Sequence, residues 1–360
     1  MLARSRLTGR YRLATVVVIF FTAFAAPALA QDILTYRAPD RAQKLIDGAR
    51  AEREVTLYST IIVNQAMRPL ADAFMKKYPF VKMNFWRGDP GDIVTKVSTE
   101  MRGNRLGVDL LEGPGVGEAA IEAELVQPWT TPATDALPQG LRDPRNLWAA
   151  PRLSYFGFAY NTKLVPPGTQ PKSFEDLLDP KWKGKLAWTA HVTSSGAPGF
   201  IGAAIAEMGE EKALAYLREL AKQNITPLGG SSRAAVDQVV AGEFPIVLQS
   251  MNHQPVISAR AGAPVDFIPI NPALGVLAVS SLVKNAPRPN AGKLFLEFLV
   301  SQEGQTLFQK GDYIPVDPAT PPLEARLRPD GEKYRAVFLS PEELEAGLPK
   351  WFQIFKDIFK

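Results

Sequence analysis

"VTLYSTIIVNQAMRPLADAFMKKYPFVKMNFW", residues 55–86, decides the fold class. Val55 to Thr60 read as a strand, rich in β-branched and aromatic side chains. Residues 64–78 place Met67, Leu70, Phe74 and Tyr78 on one helical face. Residues 81–86 return to a period of two, with Val81, Met83 and Phe85 alternating against Lys82 and Asn84. The unit repeats downstream. "PGDIVTKVSTEM" (90–101) spaces Ile93, Val97 and Met101 as a helix does, "VDLLEG" (108–113) is a third strand, and Glu118 to Leu125 a third helix. Strands alternating with amphipathic helices predict an α/β fold with a mainly parallel sheet.

The same alternation continues beyond a Pro-, Thr- and Asp-rich loop at 127–148. "YFGFAYN" (155–161) resumes as a strand. "GKLAWT", a helix from about Pro198, helices at 211–222 and 232–241, "ITPL", "FPIVLQS", a short helix near 253–261 and "VDFIPI" form a second α/β series. "GVLAVSSLV" then reads as a strand, and helices follow at 290–310, about 341–345 and about 349–359. In the last of these, Trp351, Phe352, Phe355, Ile358 and Phe359 make one broad apolar face. Docking on the protein's own surface is expected for it, ahead of a membrane-surface role.

Composition narrows the setting. Arg4, Arg6, Arg10 and Arg12 precede an apolar run from Leu13 to Ala26, then Pro27 and the triplet Ala28-Leu29-Ala30. This is the layout of a secretory signal peptide over residues 1–30. The whole chain has 41 basic and 37 acidic residues; the first 30 hold four arginines and no acid, so the remainder balances at 37 against 37. A balanced chain gives no support for nucleic-acid binding, which asks for a net basic face. There is no cysteine, hence no disulfide and no lipid-modified cysteine. About 330 residues exceed one comfortable hydrophobic core, so two lobes are expected.

In a parallel α/β sheet, ligands bind beyond the carboxyl ends of the strands, where helix N-termini also gather. The residues at those ends are chemically alike: Ser59 and Thr60, Arg87 and Gly88, then Thr193, Ser194, Ser195 and Gly196, Ser232 and Arg233, and Asn252 with His253. Hydroxyls, glycines and arginines suit an oxyanion. Arg87, Arg152 and Arg233 are the expected countercharges, and Trp86 and Tyr155 candidate walls. The competing reading of each serine or threonine is a plain helix cap. Three consecutive hydroxyls at 193–195 exceed what one cap needs.

Over residues 50–316 the sequence resembles the periplasmic solute-binding proteins of ABC importers, in the branch that includes ferric-ion-binding proteins. "LLDPKWKGK" (177–185), "TSSGAPG" (193–199), "VAGEFPIVLQS" (240–250) and "FLEFLVSQEGQ" (295–305) carry the likeness by their order and spacing. The resemblance implies a two-lobe, type II periplasmic-binding fold, each lobe a mainly parallel sheet flanked by helices, with a helical C-terminal segment. It implies one lobe built from 31–152 plus 273–360, a second from 153–272, and chain crossings near 152–155 and 269–273. It further implies a periplasmic monomer that captures a ligand between hinged lobes and delivers it to an ABC permease and its ATPase, without cofactor. Ferric-binding relatives carry a tyrosine pair after the strand matching "FPIVLQS"; here that position reads "SMNHQP" (250–255). A small organic or phosphorus-containing anion is therefore expected rather than ferric ion, with His253 the metal ligand only under the iron reading. A ligand sensor for a signalling partner shares the same fold. A secreted hydrolase is the enzyme alternative, but His191 and His253 have no G-x-S-x-G elbow to serve, and there is no P-loop or dinucleotide fingerprint.

Overall fold

The computed structural model describes residues 33–332 and 334–359. The signal peptide expected at 1–30 lies outside them. Helix α1 (Arg41–Glu52) leads into strand β1 (Glu54–Ser59), α2 (Arg68–Lys77), β2 (Lys82–Arg87), α3 (Pro90–Arg102), β3 (Leu110–Gly113) and α4 (Gly117–Glu122). The segment read as loop holds a two-residue strand, β4 (Val126–Gln127), and one short helix, α5 (Pro132–Asp135), closed by a Thr131–Thr134 capping box. Strand β5 (Ala149–Asn161) is followed by β6 (Leu186–Thr189), α6 (Ala197–Met208), α7 (Glu210–Ala221), β7 (Thr226–Leu228), α8 (Ser232–Ala241), β8 (Ile246–Met251), α9 (His253–Arg260), β9 (Val265–Pro269) and β10 (Ala273–Val283). The chain ends with α10 (Pro289–Val300), α11 (Gln302–Lys310), β11 (Ile314–Pro315), β12 (Ala336–Phe338) and α12 (Pro341–Ile358).

The strands run in the order β2-β1-β3-β10-β5-β8-β6-β7. β1 pairs in parallel with β2 and β3, and β6 in parallel with β7 and β8. These are the two α/β units of the sequence. Joining them are two long strands, β5 and β10, that run antiparallel to their neighbours in this order, while β12 pairs in parallel with the start of β10. β5 pairs with β10 from Ala149 to Tyr155, then with β8 and β9 from Phe156 to Asn161. Thus one continuous strand leaves the first unit and enters the second. β10 makes the return, its register with β5 beginning at Gly275↔Tyr155. Burial explains why a strand of 13 residues stays extended: every β5 residue but Tyr160 is buried, as are all 11 of β10. Strands covered on both faces need near-continuous apolar runs rather than alternation.

Each unit has its own core. In the first, Phe74 of α2 meets Phe295 and Phe298 of α10 edge-on, with ring centroids 5.0 and 5.6 Å apart. In the second, Trp188 of β6 contacts Phe200 of α6 at 5.7 Å. That core differs from expectation at one end. The resemblance implies that residues 273–360 belong to the first lobe, whereas α12 packs on the second core: Phe355 and Phe359 stand 5.9 and 4.7 Å from Trp188, and Trp351 is buried. Gly202 allows this, since a Cβ there would lie 2.6 Å from the Trp351 ring. Burying each such aromatic stabilises by roughly 1.5–3 kcal/mol, enough to fix the helix. α12 also reaches back to α4 of the first unit. It is one helix where two were expected, with Pro349 inside it.

Candidate functional site

A cavity of about 560 Å³ opens between the two units. The first contributes Thr60, Arg87, Asp89, Asp92 and Gly115; the second contributes Thr193, Ser194, Ser195, Ser232, Arg233 and His253. Arg152 on the crossing strand lines it as well.

The floor is a buried polar network. Arg152 is 1 % exposed, and its Nε donates to Glu112 Oε1 at 2.9 Å. Ser59 Oγ donates to the other Glu112 oxygen at 2.5 Å and accepts from the Ile61 N–H. Arg152 Nη2 reaches Thr60 Oγ1 at 3.3 Å, while Nη1 is buried without a partner among the described residues. The guanidinium lies over the Tyr313 ring at 4.5 Å, and that ring faces His253 at 4.4 Å. Tyr313 is held in place by accepting from the Ile62 N–H at 3.0 Å. Burial, then the positive charges of Arg152, Arg233 and Arg87, hold the His253 imidazole well below its ordinary pKa, so it is neutral. Its Nδ1 is buried without a partner. A buried polar group left unpaired is costly, and the Arg152 Nη1, which can only donate, calls for an acceptor.

The 190–196 loop supplies the hydroxyl wall. Thr189 Oγ1 donates to the Ser195 carbonyl at 3.0 Å, and Gln249 Nε2 to the Ser194 carbonyl at 2.9 Å. Thr193 and Ser195 hydroxyls are 3.2 Å apart. α6 takes Gly196 as its N-cap, with no side-chain capping bond. The three hydroxyls are therefore not spent as caps. Gly199 is required by contact: a Cβ there would lie 1.9 Å from the Ser194 carbonyl oxygen. α8, by contrast, is capped by Ser231, leaving Ser232 to bond Gln254 at 2.9 Å.

Nine of the residues singled out in the sequence line this cavity: Thr60, Arg87, Arg152, Thr193, Ser194, Ser195, Ser232, Arg233 and His253. Four do not. Ser59 is fully buried on Glu112, because the last residue of β1 points into the sheet. Asn252 is also fully buried; its Oδ1 accepts from the His253 and Tyr155 N–H groups and its Nδ2 donates to the Leu327 carbonyl. Gly88 packs under the Trp86 ring, and Gly196 between the Thr189 and His191 carbonyls. Arg233 lines the cavity, but its donors are engaged by Asp237, Ser258 and the Gln254 carbonyl. Tyr155 is a core residue, 5.7 Å from Phe338, and Trp86 stacks edge-on against Tyr58 at 5.3 Å; neither walls the cavity.

Sequence reasoning did not single out Glu112, Tyr313, Asp92 or Glu345, and it noted Asp89 and Gln254 after their strands without giving them a role. Asp89 and Asp92 flank the Pro-Gly pair that opens α3, and were visible there. Glu345 sits on α12, far along the chain, and nothing local marks it.

Comparison with known proteins agrees with this geometry. The family described as "Bacterial extracellular solute-binding protein" matches residues 105–337. A putative 2-aminoethylphosphonate-binding periplasmic protein of Salmonella paratyphi A is 27% identical, covering 84% of this chain and 88% of its own. Iron uptake protein A1 of Synechocystis is 24% identical over 65% of this chain and 68% of its own. In structure, the periplasmic binding protein AfuA of Actinobacillus pleuropneumoniae, with exogenous fructose-6-phosphate bound, aligns with a TM-score of 0.71 at 24% identity, covering 85% of this chain and 98% of that one. Iron-bound HitA of Pseudomonas aeruginosa aligns at 0.69 and 20% identity, over 85% and 99%. With its two α/β units, its two crossing strands and a cavity between them, the chain belongs to the bacterial extracellular solute-binding proteins.

Proposed function

We propose that this protein is the periplasmic receptor of an ABC uptake system, capturing a small solute with a phosphorus oxyanion head between its lobes and handing it to a permease driven by an ATPase. The observation that carries the reading is Arg152: a nearly fully buried guanidinium that lines the cavity, charge-paired on one edge by Glu112, with its Nη1 left without a partner among the described residues. A tetrahedral oxyanion supplies the missing acceptor and can take hydrogen bonds from Thr60, Ser194 and Ser195 as well. The relative named for 2-aminoethylphosphonate supports the same chemistry. Binding rather than catalysis is the role assigned, since neither His191 nor His253 makes a hydrogen bond to a serine hydroxyl among the described residues.

The iron-named relatives motivate a second reading, and the donor set weighs against it. No tyrosine lines the cavity, and three arginines do. Among the described residues no group of three or more His, Asp or Glu is placed to hold a metal ion. Among them, too, no helix is long and apolar enough to cross a membrane. Calorimetric titration with methylphosphonate, inorganic phosphate, acetate and ferric citrate separates the readings. The phosphorus compounds are expected to bind. Saturable ferric uptake with a visible charge-transfer band, and no binding of phosphorus compounds, overturns the proposal.

A further inference from the structure

One short helix of the second unit is held at both ends by two consecutive residues of the first. α9 runs from His253 to Arg260. At its start the His253 imidazole stacks on Tyr313, with 4.4 Å between ring centroids. At its end Arg260 Nε donates to Asp312 Oδ1 at 2.9 Å. Asp312 and Tyr313 lie between α11 and β11, and both are buried. The backbone of Asp312 is left-handed, with φ 61°. Glycine apart, that region is best tolerated by Asn and Asp. A residue kept there is held by its surroundings, and the turn sends adjacent side chains to opposite ends of one helix.

The grip is anchored on each side. Tyr313 belongs to the first core beside Phe308, and its hydroxyl accepts from the Ile62 N–H at 3.0 Å. The same ring carries the Arg152 guanidinium at 4.5 Å. Arg260 Nη2 also donates to Glu324 at 3.0 Å. Glu324 accepts from Arg326 Nε at 2.8 Å, and Arg326 Nη2 donates to Asp266 of β9 at 2.6 Å. Arg260, Asp312 and Tyr313 do not line the cavity, whereas His253 and Arg152 do. Binding groups must be held to within roughly 0.5 Å to work together, and the first residue of a short helix would pivot if its far end were free. We infer that Asp312 and Tyr313 are positioning residues of the binding site: by gripping α9 at both ends they fix where His253 stands relative to Arg152. The inference rests on the oxyanion reading for the chemistry of the solute, but not for the grip itself.

Two variants test it on the full chain. Arg260→Met removes the far contact from a half-exposed side chain outside the cavity. Asp312→Asn keeps a residue suited to the left-handed backbone and removes the charge. The first measurement needs no ligand. The chain has two histidines, and the proton signals of the His253 ring, told apart by the one lost in His191→Gln, should carry the ring-current shift of a ring stacked on Tyr313. That shift should shrink in both variants. The second is calorimetric titration with methylphosphonate, expected to weaken about fivefold in each variant. The double variant should be about as weak as Arg260→Met alone, since the two changes remove one shared contact. Arg260→Lys, which keeps the charge, should recover part of the loss. Unchanged His253 signals, or unchanged affinity, in variants that only melt earlier would make the grip structural and overturn the inference. So would losses that add in the double variant. Failure of the wild type to bind methylphosphonate overturns the oxyanion reading, and the His253 spectra then decide the grip on their own.

Discussion

At the scale of single residues, Arg152 and Gly199 define what the site needs. Arg152 balances Glu112 inside the protein and keeps Nη1 without a partner among the described residues; in the proposed receptor that nitrogen meets the ligand. Arg152→Lys keeps the charge but loses the planar fork, so phosphonate affinity should fall at least tenfold, about 1.4 kcal/mol, while folding survives. Arg152→Ala should be worse than a binding defect. It strands a buried carboxylate, and breaking such a pair costs about 3–5 kcal/mol of stability. Calorimetry and urea melts on the two variants separate the effects; equal stability loss in both would refute the distinction. Gly199→Ala gives an opposite sign to the usual rule. In an ordinary helix that change stabilises by up to ~1 kcal/mol. Here the new Cβ would lie 1.9 Å from the Ser194 carbonyl oxygen, so the 193–195 loop must move. The expected result is lost affinity and a lower melting temperature, and a more stable variant with intact binding would contradict the loop geometry. Much of this site was legible. Hydroxyls and arginines at strand ends follow from where an α/β sheet binds ligands. What was not legible was direction: Ser59 and Thr60 are adjacent, yet successive strand residues face opposite ways, so only Thr60 meets the cavity.

Elements show where sequence periodicity suffices and where it fails. β1, α2, β2 and α3 fell where their apolar spacing put them, because each has one buried face. α12 did not. Pro349 read as a break between two helices, but Leu344 on one side and Trp351 and Phe355 on the other are buried in the same core, and packing carries the helix through the proline. The contact that α12 makes with α4 gives a prediction of its own. Glu118 of α4 is buried, and burial first, then Glu345 and Glu342, raises its carboxyl to about 7. On α4 itself Glu122 also faces Glu345, and Arg145 lies 3.7 Å from Glu342. The folded chain holds the Glu118 proton where the unfolded chain has already released it. Stability contributed by this group is therefore full below the ordinary carboxyl range and lost as pH rises from about 4.5 to about 7. Glu118→Gln should flatten that slope and raise stability near pH 8 by up to ~3 kcal/mol. Urea midpoints across the range check it; an unchanged slope would show that Glu118 does not titrate there.

Across the whole molecule, the decisive arrangement is that cavity-lining groups come from both units, while the chain passes between them along β5 and β10 and once more on its way to α12. Those strands pair with each other at the first unit and part toward different partners at the second. In the proposed receptor, bending about residues 155–157 and 269–275 would alter how the units face each other without breaking either parallel core. A cavity of about 560 Å³ is larger than a phosphonate head with two carbons. A solute that touched Thr60 and Arg152 on one side and Ser194 and Ser195 on the other, as proposed, would gain contacts as the units approach. Only a ligand with unequal affinity for open and closed forms can shift their populations, and here the inequality lies in those two-sided contacts. Solution X-ray scattering should show the radius of gyration fall when methylphosphonate saturates the protein. The fall should vanish in Ser194→Ala/Ser195→Ala at ligand levels that still occupy Arg152, because the second unit then has less to close upon. A wild-type radius unchanged by saturating ligand would mean a rigid cleft, and the crossing strands would be a brace rather than a hinge.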